Sequence, residues 1–198
     1  MSKCLNCGFE GLSDKQLKTN LFNNVVNIHK NISWWEQQPY EIIDWLKDIK
    51  GLSPKVILDA GCGDGRWIPA ILDRWQGIDY TGIDLYEEHI KDCSSKWPII
   101  RFYWGDFLKN TFARESFNLI LFGGVFNPIM SKERQIKIIN EAKSLYPENI
   151  VITFDFNCSG HPPSEYMKPE YQELDSISVS KENEDKKQHV VALLYGRK

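Results

Sequence analysis

The stretch Val56-Ile57-Leu58-Asp59-Ala60-Gly61-Cys62-Gly63-Asp64-Gly65-Arg66-Trp67 constrains the fold more than any other part of the chain. An apolar run enters a glycine-rich loop, and behind the loop Trp67, Ile71 and Trp75, with Ile68 and Leu72, recur on one helical face. A strand that passes through such a loop into a helix opens a βα unit. In open α/β sheets ligands bind at that carboxyl edge. Glycine there lets a bound molecule reach the main chain, since a larger side chain would hold it off.

The same alternation continues downstream. Tyr80-Thr81-Gly82-Ile83, Ile99-Ile100-Arg101-Phe102-Tyr103, Phe117 to Phe122 and Ile150 to Phe154 are further short apolar runs. A second amphipathic helix through Ile136, Ile138, Ile139, Ala142 and Leu145 is expected behind a Ser131 N-cap. Strands alternating with helices predict a parallel sheet covered on both faces. The C-terminus changes rhythm: Ile177-Ser178-Val179 and Val190 to Tyr195 are joined by the charged run Lys181 to Lys187, read as a solvated turn, which predicts an antiparallel hairpin. Upstream, Ser13 to Lys50 is helical in pattern, divided into two helices at Gln38-Pro39, and Gly51-Leu52-Ser53-Pro54 is a stop-and-turn cluster. The chain of 198 residues therefore divides into an N-terminal helical segment, 1–53, and one α/β domain, 54–198.

Composition narrows the function classes. With 42% apolar and 26% charged residues the chain is an ordinary globular one. Its net charge of -3 works against a phosphate backbone as partner, so no nucleic acid is expected. Neither a membrane-length apolar run nor a signal-peptide pattern is present, and the expected location is the cytoplasm, with no membrane partner. Five cysteines, an odd number, point to reduced thiols.

Asp59 closes the first strand with a carboxylate beside the loop, placed to hydrogen-bond a loop amide or, through water, an ammonium group. About twenty residues on, Asp84 ends the second strand, the position from which an acid accepts hydrogen bonds from ribose hydroxyls. Trp104-Gly105-Asp106-Phe107 ends the third with a carboxylate for an adenine amino group and an aromatic face for its ring. A nicotinamide-binding fold shares the loop and Asp84, but it prefers Gly-x-Gly-x-x-Gly, and the third glycine here, Gly65, comes one residue early.

From about Lys55 to Phe156, and on to the C-terminal hairpin, these residues resemble the class I S-adenosylmethionine-dependent methyltransferases, of the small-molecule type. The resemblance implies a doubly wound, Rossmann-like seven-stranded sheet, mostly parallel with an antiparallel C-terminal hairpin, and S-adenosyl-L-methionine as cofactor. It implies that Asp59, Gly61, Cys62 and Gly63 line the methionyl end, Asp84 and Leu85 the ribose, and Gly105, Asp106 and Phe107 the adenine. Phe122 and Gly123, after strand four, complete the expected cofactor contacts. They open the step Phe122-Gly123-Gly124-Val125-Phe126-Asn127-Pro128-Ile129, which is similar to the family's Ser-x-Gly-Val-Leu-Glu-His-Ile but carries Asn127-Pro128 where that step has Glu-His.

Candidate catalytic residues are then Asn127, whose amide oxygen suits an acceptor amine or hydroxyl, and His161, a base near neutral pH. Trp34, Trp35 and Tyr40 lie in the segment that forms a lid over the cofactor in this family, and adjacent tryptophans cannot share one helix face. No metal is expected; the one four-ligand zinc set the sequence offers is Cys4, Cys7, Cys158 and His161. The expected activity is methyl transfer to a small-molecule nitrogen, oxygen or carbon, with the oligomeric state open. The alternatives are an S-adenosylmethionine-binding module that acts through a protein partner without catalysis, and a protein or RNA methyltransferase.

Overall fold

A computed structural model describes residues 32–126, 131–155, 167, 170–183 and 186–198. The described chain begins with helix α1, Ile32–Asp44, which passes into a wide π-helical turn, Trp45–Ile49. Strand β1, Val56–Ala60, is followed by α2, Ile68–Arg74; β2, Asp79–Asp84, by α3, Glu87–Lys96; and β3, Arg101–Trp104, by a single 3-10 turn, Phe107–Lys109. Strand β4, Leu119–Gly123, leads to α4, Lys132–Ser144, and then to β5, Asn149–Asp155, β6, Tyr171–Asn183, and β7, Lys186–Arg197.

The seven strands form one sheet in the order β3-β2-β1-β4-β5-β7-β6. β1 pairs in parallel with β2 and β4, β2 with β3, and β4 with β5, whereas β7 runs antiparallel to both β5 and β6. The chain reverses direction across the sheet between β1 and β4, so the ends of these two strands flank the crevice where a ligand binds in a doubly wound fold.

Strand residues alternate between two apolar layers, as a sheet buried on both faces requires. Leu58, Ala60, Ile120 and Phe122 pack with Ile138, Ile139 and Ala142 of α4 on one face. Ile57, Leu119, Leu121 and Val151 pack on the other with Ile68 and Ile71 of α2 and Ile42, Ile43 and Leu46 of the N-terminal helix.

Three expectations are corrected. Helix α1 runs straight through Pro39 rather than breaking there. Pro39 removes one helical N–H, but Gln38, Ile42, Ile43 and Leu46 are buried on either side of it, and that burial outweighs the lost bond. Ile99 lies before β3 and is 94% exposed, so the third strand begins later than its apolar run. The charged run Lys181 to Lys187 is mostly strand, since β6 and β7 pair out to Asn183 opposite Lys186. No described helix is long and apolar enough to cross a membrane.

Candidate active site

The carboxyl ends of β1, β2 and β3 carry three carboxylates in a row, and the loop after β1 is tied to them through its backbone. Gly61, Gly63 and Gly65 have φ of 86°, 55° and 80°, the left-handed region that side chains disfavour. Gly61 N and Cys62 N both donate to Ile83 O, at 2.8 and 3.1 Å, and Gly63 N donates to Asp84 Oδ2 at 2.9 Å. The loop is thus pinned over the end of β2, and Gly105 N, donating to Asp84 O at 2.9 Å, pins the start of the next loop beside it.

Asp84 sits at the centre. Its Oδ1 accepts from Tyr86 N at 2.8 Å and meets His89 Nδ1 at 3.3 Å, while Oδ2 takes the Gly63 amide. The Asp84 hydrogen bond holds His89 protonated to higher pH than a free imidazole. A carboxylate oxygen has two lone pairs, so after these bonds Oδ2 of Asp84 retains one for a ribose hydroxyl.

Asp59 is fully buried. Its Oδ2 accepts from the Tyr80 hydroxyl at 2.6 Å, and its Oδ1 is buried without a partner. Burial pushes its pKa up to about 7, opposed in part by the Tyr80 hydrogen bond. Arg66, in the same loop, is pushed down to about 10 by burial. An unpaired carboxylate oxygen under a loop of positive-φ glycines is costly in the bare protein and suits a cationic ligand group.

Asp106 caps the 3-10 turn: Oδ1 accepts from Leu108 N at 3.1 Å and also from Arg134 Nη2 at 3.0 Å. A Cβ added at Gly63 or Gly105 would meet nothing within 4 Å, so open space lies over the backbone at both ends of this row. At Gly61 it would lie 2.4 Å from Val125, and at Gly123 2.1 Å from the buried Trp67 indole nitrogen, so those two glycines serve packing. Along this row Asp59 can accept from a cation, Asp84 from a hydroxyl and Asp106 from an amino donor.

The structure does not bring every expected residue to this edge. Phe107 and Phe122 stack edge to face at 5.5 Å inside the core, and what they present at the edge is backbone. Cys62 is buried against Cys93, whose thiol donates to Gly63 O at 3.3 Å. Tyr40 lies beside Arg74, 5.3 Å from ring to guanidinium, at the end of α2 remote from the loop. Trp34 and Trp35 fall within α1, their side chains outside the described residues. Asn127, Cys4, Cys7, Cys158 and His161 also lie outside them.

Sequence reasoning missed three residues. Trp104 is 62% exposed beside Asp84 in register and donates Nε1–H to Leu85 O at 3.2 Å. His89, in the first turn of α3 and five residues beyond Asp84, and Arg134, in the first turn of α4 and 28 residues beyond Asp106, reach the two acids from helices. Only Trp104 left a trace in sequence, as the aromatic before Gly105-Asp106.

Residues 57–148 match the family model of a methyltransferase domain. That match places a methyltransferase domain within the seven-stranded sheet, whose order and antiparallel last strands are those the resemblance implies. Among solved structures, it is similar to the 1,6-didemethyltoxoflavin-N1-methyltransferase of Burkholderia thailandensis, with 16% identity, a TM-score of 0.69 and coverage of 96% of this chain and 92% of that one. The magnesium protoporphyrin IX methyltransferase of Synechocystis PCC 6803 gives 15% identity, a TM-score of 0.70, and 96% and 100% coverage. The N-methyltransferase NodS of Bradyrhizobium japonicum WM9 gives 15%, 0.65, and 84% and 98%. At these identities the likeness is one of fold. No curated protein matches the sequence.

Proposed function

We propose that the domain passes the methyl group of S-adenosylmethionine to a small-molecule nucleophile, with the cofactor lying along the carboxyl edge from β1 to β3. The observation that carries this reading is the open backbone at Gly63 and Gly105 on either side of Asp84. In it, Asp59 with the 61–63 backbone holds the methionyl end, Asp84 the ribose and Asp106 the adenine amino group. When bound, the cofactor supplies a methyl carbon already made electrophilic by its sulfonium.

What remains for the protein is to bind, orient and keep water out. Asp59, with an unpaired oxygen in a dry site, draws the ammonium and fixes the direction of the chain that bears the sulfur. The loop pinned to Ile83 and Asp84 sets its depth. Holding an acceptor about 3 Å from the methyl carbon, in line with the breaking bond, supplies most of the rate without a dedicated base.

A compact acceptor is favoured by the acidic net charge of -3, which works against a phosphate backbone. The similar solved structures include enzymes named for 1,6-didemethyltoxoflavin and magnesium protoporphyrin IX, both small molecules.

Calorimetric titration with S-adenosylhomocysteine tests the cofactor site: saturable one-to-one binding is expected, and no heat at millimolar ligand would sink the reading. Methyl transfer from labelled cofactor to a panel of amines, phenols and N-heterocycles, against RNA and a protein mixture, tests the acceptor class. Label appearing only in macromolecules would replace the small-molecule reading.

A further inference from the structure

We infer that Arg134 is a positioning residue for the adenine end of the cofactor, acting by fixing the orientation of the Asp106 carboxylate; this rests on the reading of Asp106 as the adenine acceptor. Arg134 lies in the first turn of α4, where the helix dipole disfavours a cation. Its backbone N–H donates to the Ser131 N-cap hydroxyl at 3.3 Å, which fixes where the side chain leaves the helix. From there it crosses to the loop after β3, and Nη2 meets Asp106 Oδ1 at 3.0 Å, with the Arg134 side chain only 16% exposed and that of Asp106 20% exposed. A cation held half-dry at the wrong end of a helix needs compensation, and the carboxylate is part of it.

The pairing has a geometric result. Both hydrogen bonds to Asp106 from the described residues, from Leu108 N and from Arg134, fall on Oδ1. The carboxylate is therefore held from two directions on one oxygen, and Oδ2 is left for an incoming donor. A carboxylate fixed this way accepts from the 6-amino group of adenine and opposes the 6-oxo group of hypoxanthine, which offers a carbonyl oxygen at that place. Without Arg134 only the cap hydrogen bond remains, the side chain turns more freely, and the contrast between the two bases falls.

The test is binding of S-adenosylhomocysteine and of S-inosylhomocysteine to wild type, Arg134→Gln, Arg134→Lys and Asp106→Asn, by calorimetry, with melting temperatures alongside. Wild type is expected to prefer the adenine ligand. Arg134→Gln should lose about tenfold of that preference, the fold-change carried by one charge-assisted hydrogen bond. Arg134→Lys, which keeps the charge but not the planar fork, should restore part of it. A merely structural role would weaken both ligands by one factor and leave the ratio unchanged, and that result overturns the inference. Should Arg134→Gln fail to fold, Arg134→Met, which removes both the charge and the fork, takes its place, and an unchanged ratio there is equally fatal. If Asp106→Asn keeps the full preference, the assignment of Asp106 itself fails; if Asp106→Asn loses it and Arg134→Gln does not, only the role of Arg134 falls.

Discussion

Asp59→Asn is expected to flatten the pH dependence of stability in the ligand-free protein while weakening cofactor binding at least tenfold. The sign follows from the buried carboxyl. Its pKa rises from 3.8 to about 7 on folding, so between those values the folded state holds a proton that the unfolded state has released. Stability therefore falls as pH rises through this window, and above about pH 7 the full cost, on the order of 4 kcal/mol, is present. Asparagine can keep an oxygen on the Tyr80 hydroxyl, as Oδ2 of Asp59 does at 2.6 Å, and it cannot ionise. Its amide group meets the same unpaired surroundings as Asp59 Oδ1, which costs about 1–3 kcal/mol at every pH. Melting curves from about pH 5.5 to about pH 8 should thus slope downward for wild type and run nearly level for the variant, with the two closest at the acid end and the variant the more stable at the alkaline end. Titration with S-adenosylhomocysteine should show the opposite order: the wild type gains affinity through pH 7 as the carboxylate ionises to meet the ammonium, and the variant does not. A variant whose stability slopes as steeply as wild type removes Asp59 as the titrating group.

Much of this architecture is written in short-range pattern. The run Val56 to Leu58, the glycines behind it and the period of Ile68 and Ile71 locate the first βα unit without reference to anything distant. Ser131 announces α4 through its cap, and its hydroxyl accepts from Arg134 N as a capping serine should. The acids at the ends of β2 and β3 are legible because strand ends in a parallel sheet share one edge.

The less legible parts depend on contacts that no local pattern shows. Helix α3 buries only Ile90 and Cys93, a stripe too thin to stand out by periodicity, yet it brings His89 to Asp84. Pro39 reads as a break because local chemistry says so, and the layer beneath it overrules that. Tyr40 reads as a lid aromatic because its neighbours are aromatic, while α1 is fixed at that level by burial of Ile42 and Ile43 and by the Asp44–Arg74 ion pair. The pairing of Arg134 with Asp106 joins residues 28 apart on separate elements, and nothing in either local sequence announces it.

Gly105→Ala should fold as well as wild type and lose cofactor affinity, whereas Gly123→Ala should fail first in stability. Gly105 has no positive φ and its added methyl meets nothing within 4 Å, so the substitution costs the ligand-free protein about 0.5 kcal/mol or less. The same methyl stands in the space through which the proposed ligand reaches the backbone, and binding should weaken at least tenfold. Gly63→Ala meets the same open space but at φ 55°, adding about 1–2 kcal/mol of backbone strain to the loss of binding. At Gly123 the methyl would lie 2.1 Å from Trp67 Nε1, and Trp67 is 2% exposed, so the ring has nowhere to move. Overpacking of this kind costs about 1–3 kcal/mol or more. For a chain of this length that lowers the melting temperature by roughly 2–12 °C. Thermal melts and S-adenosylhomocysteine titrations of the three variants separate the two kinds of glycine. If Gly105→Ala binds like wild type, the ligand does not pass over the end of β3, and the adenine subsite must be sought elsewhere along the edge. If Gly123→Ala melts with wild type, the packing of Trp67 beneath β4 is looser than the close approach of its indole implies.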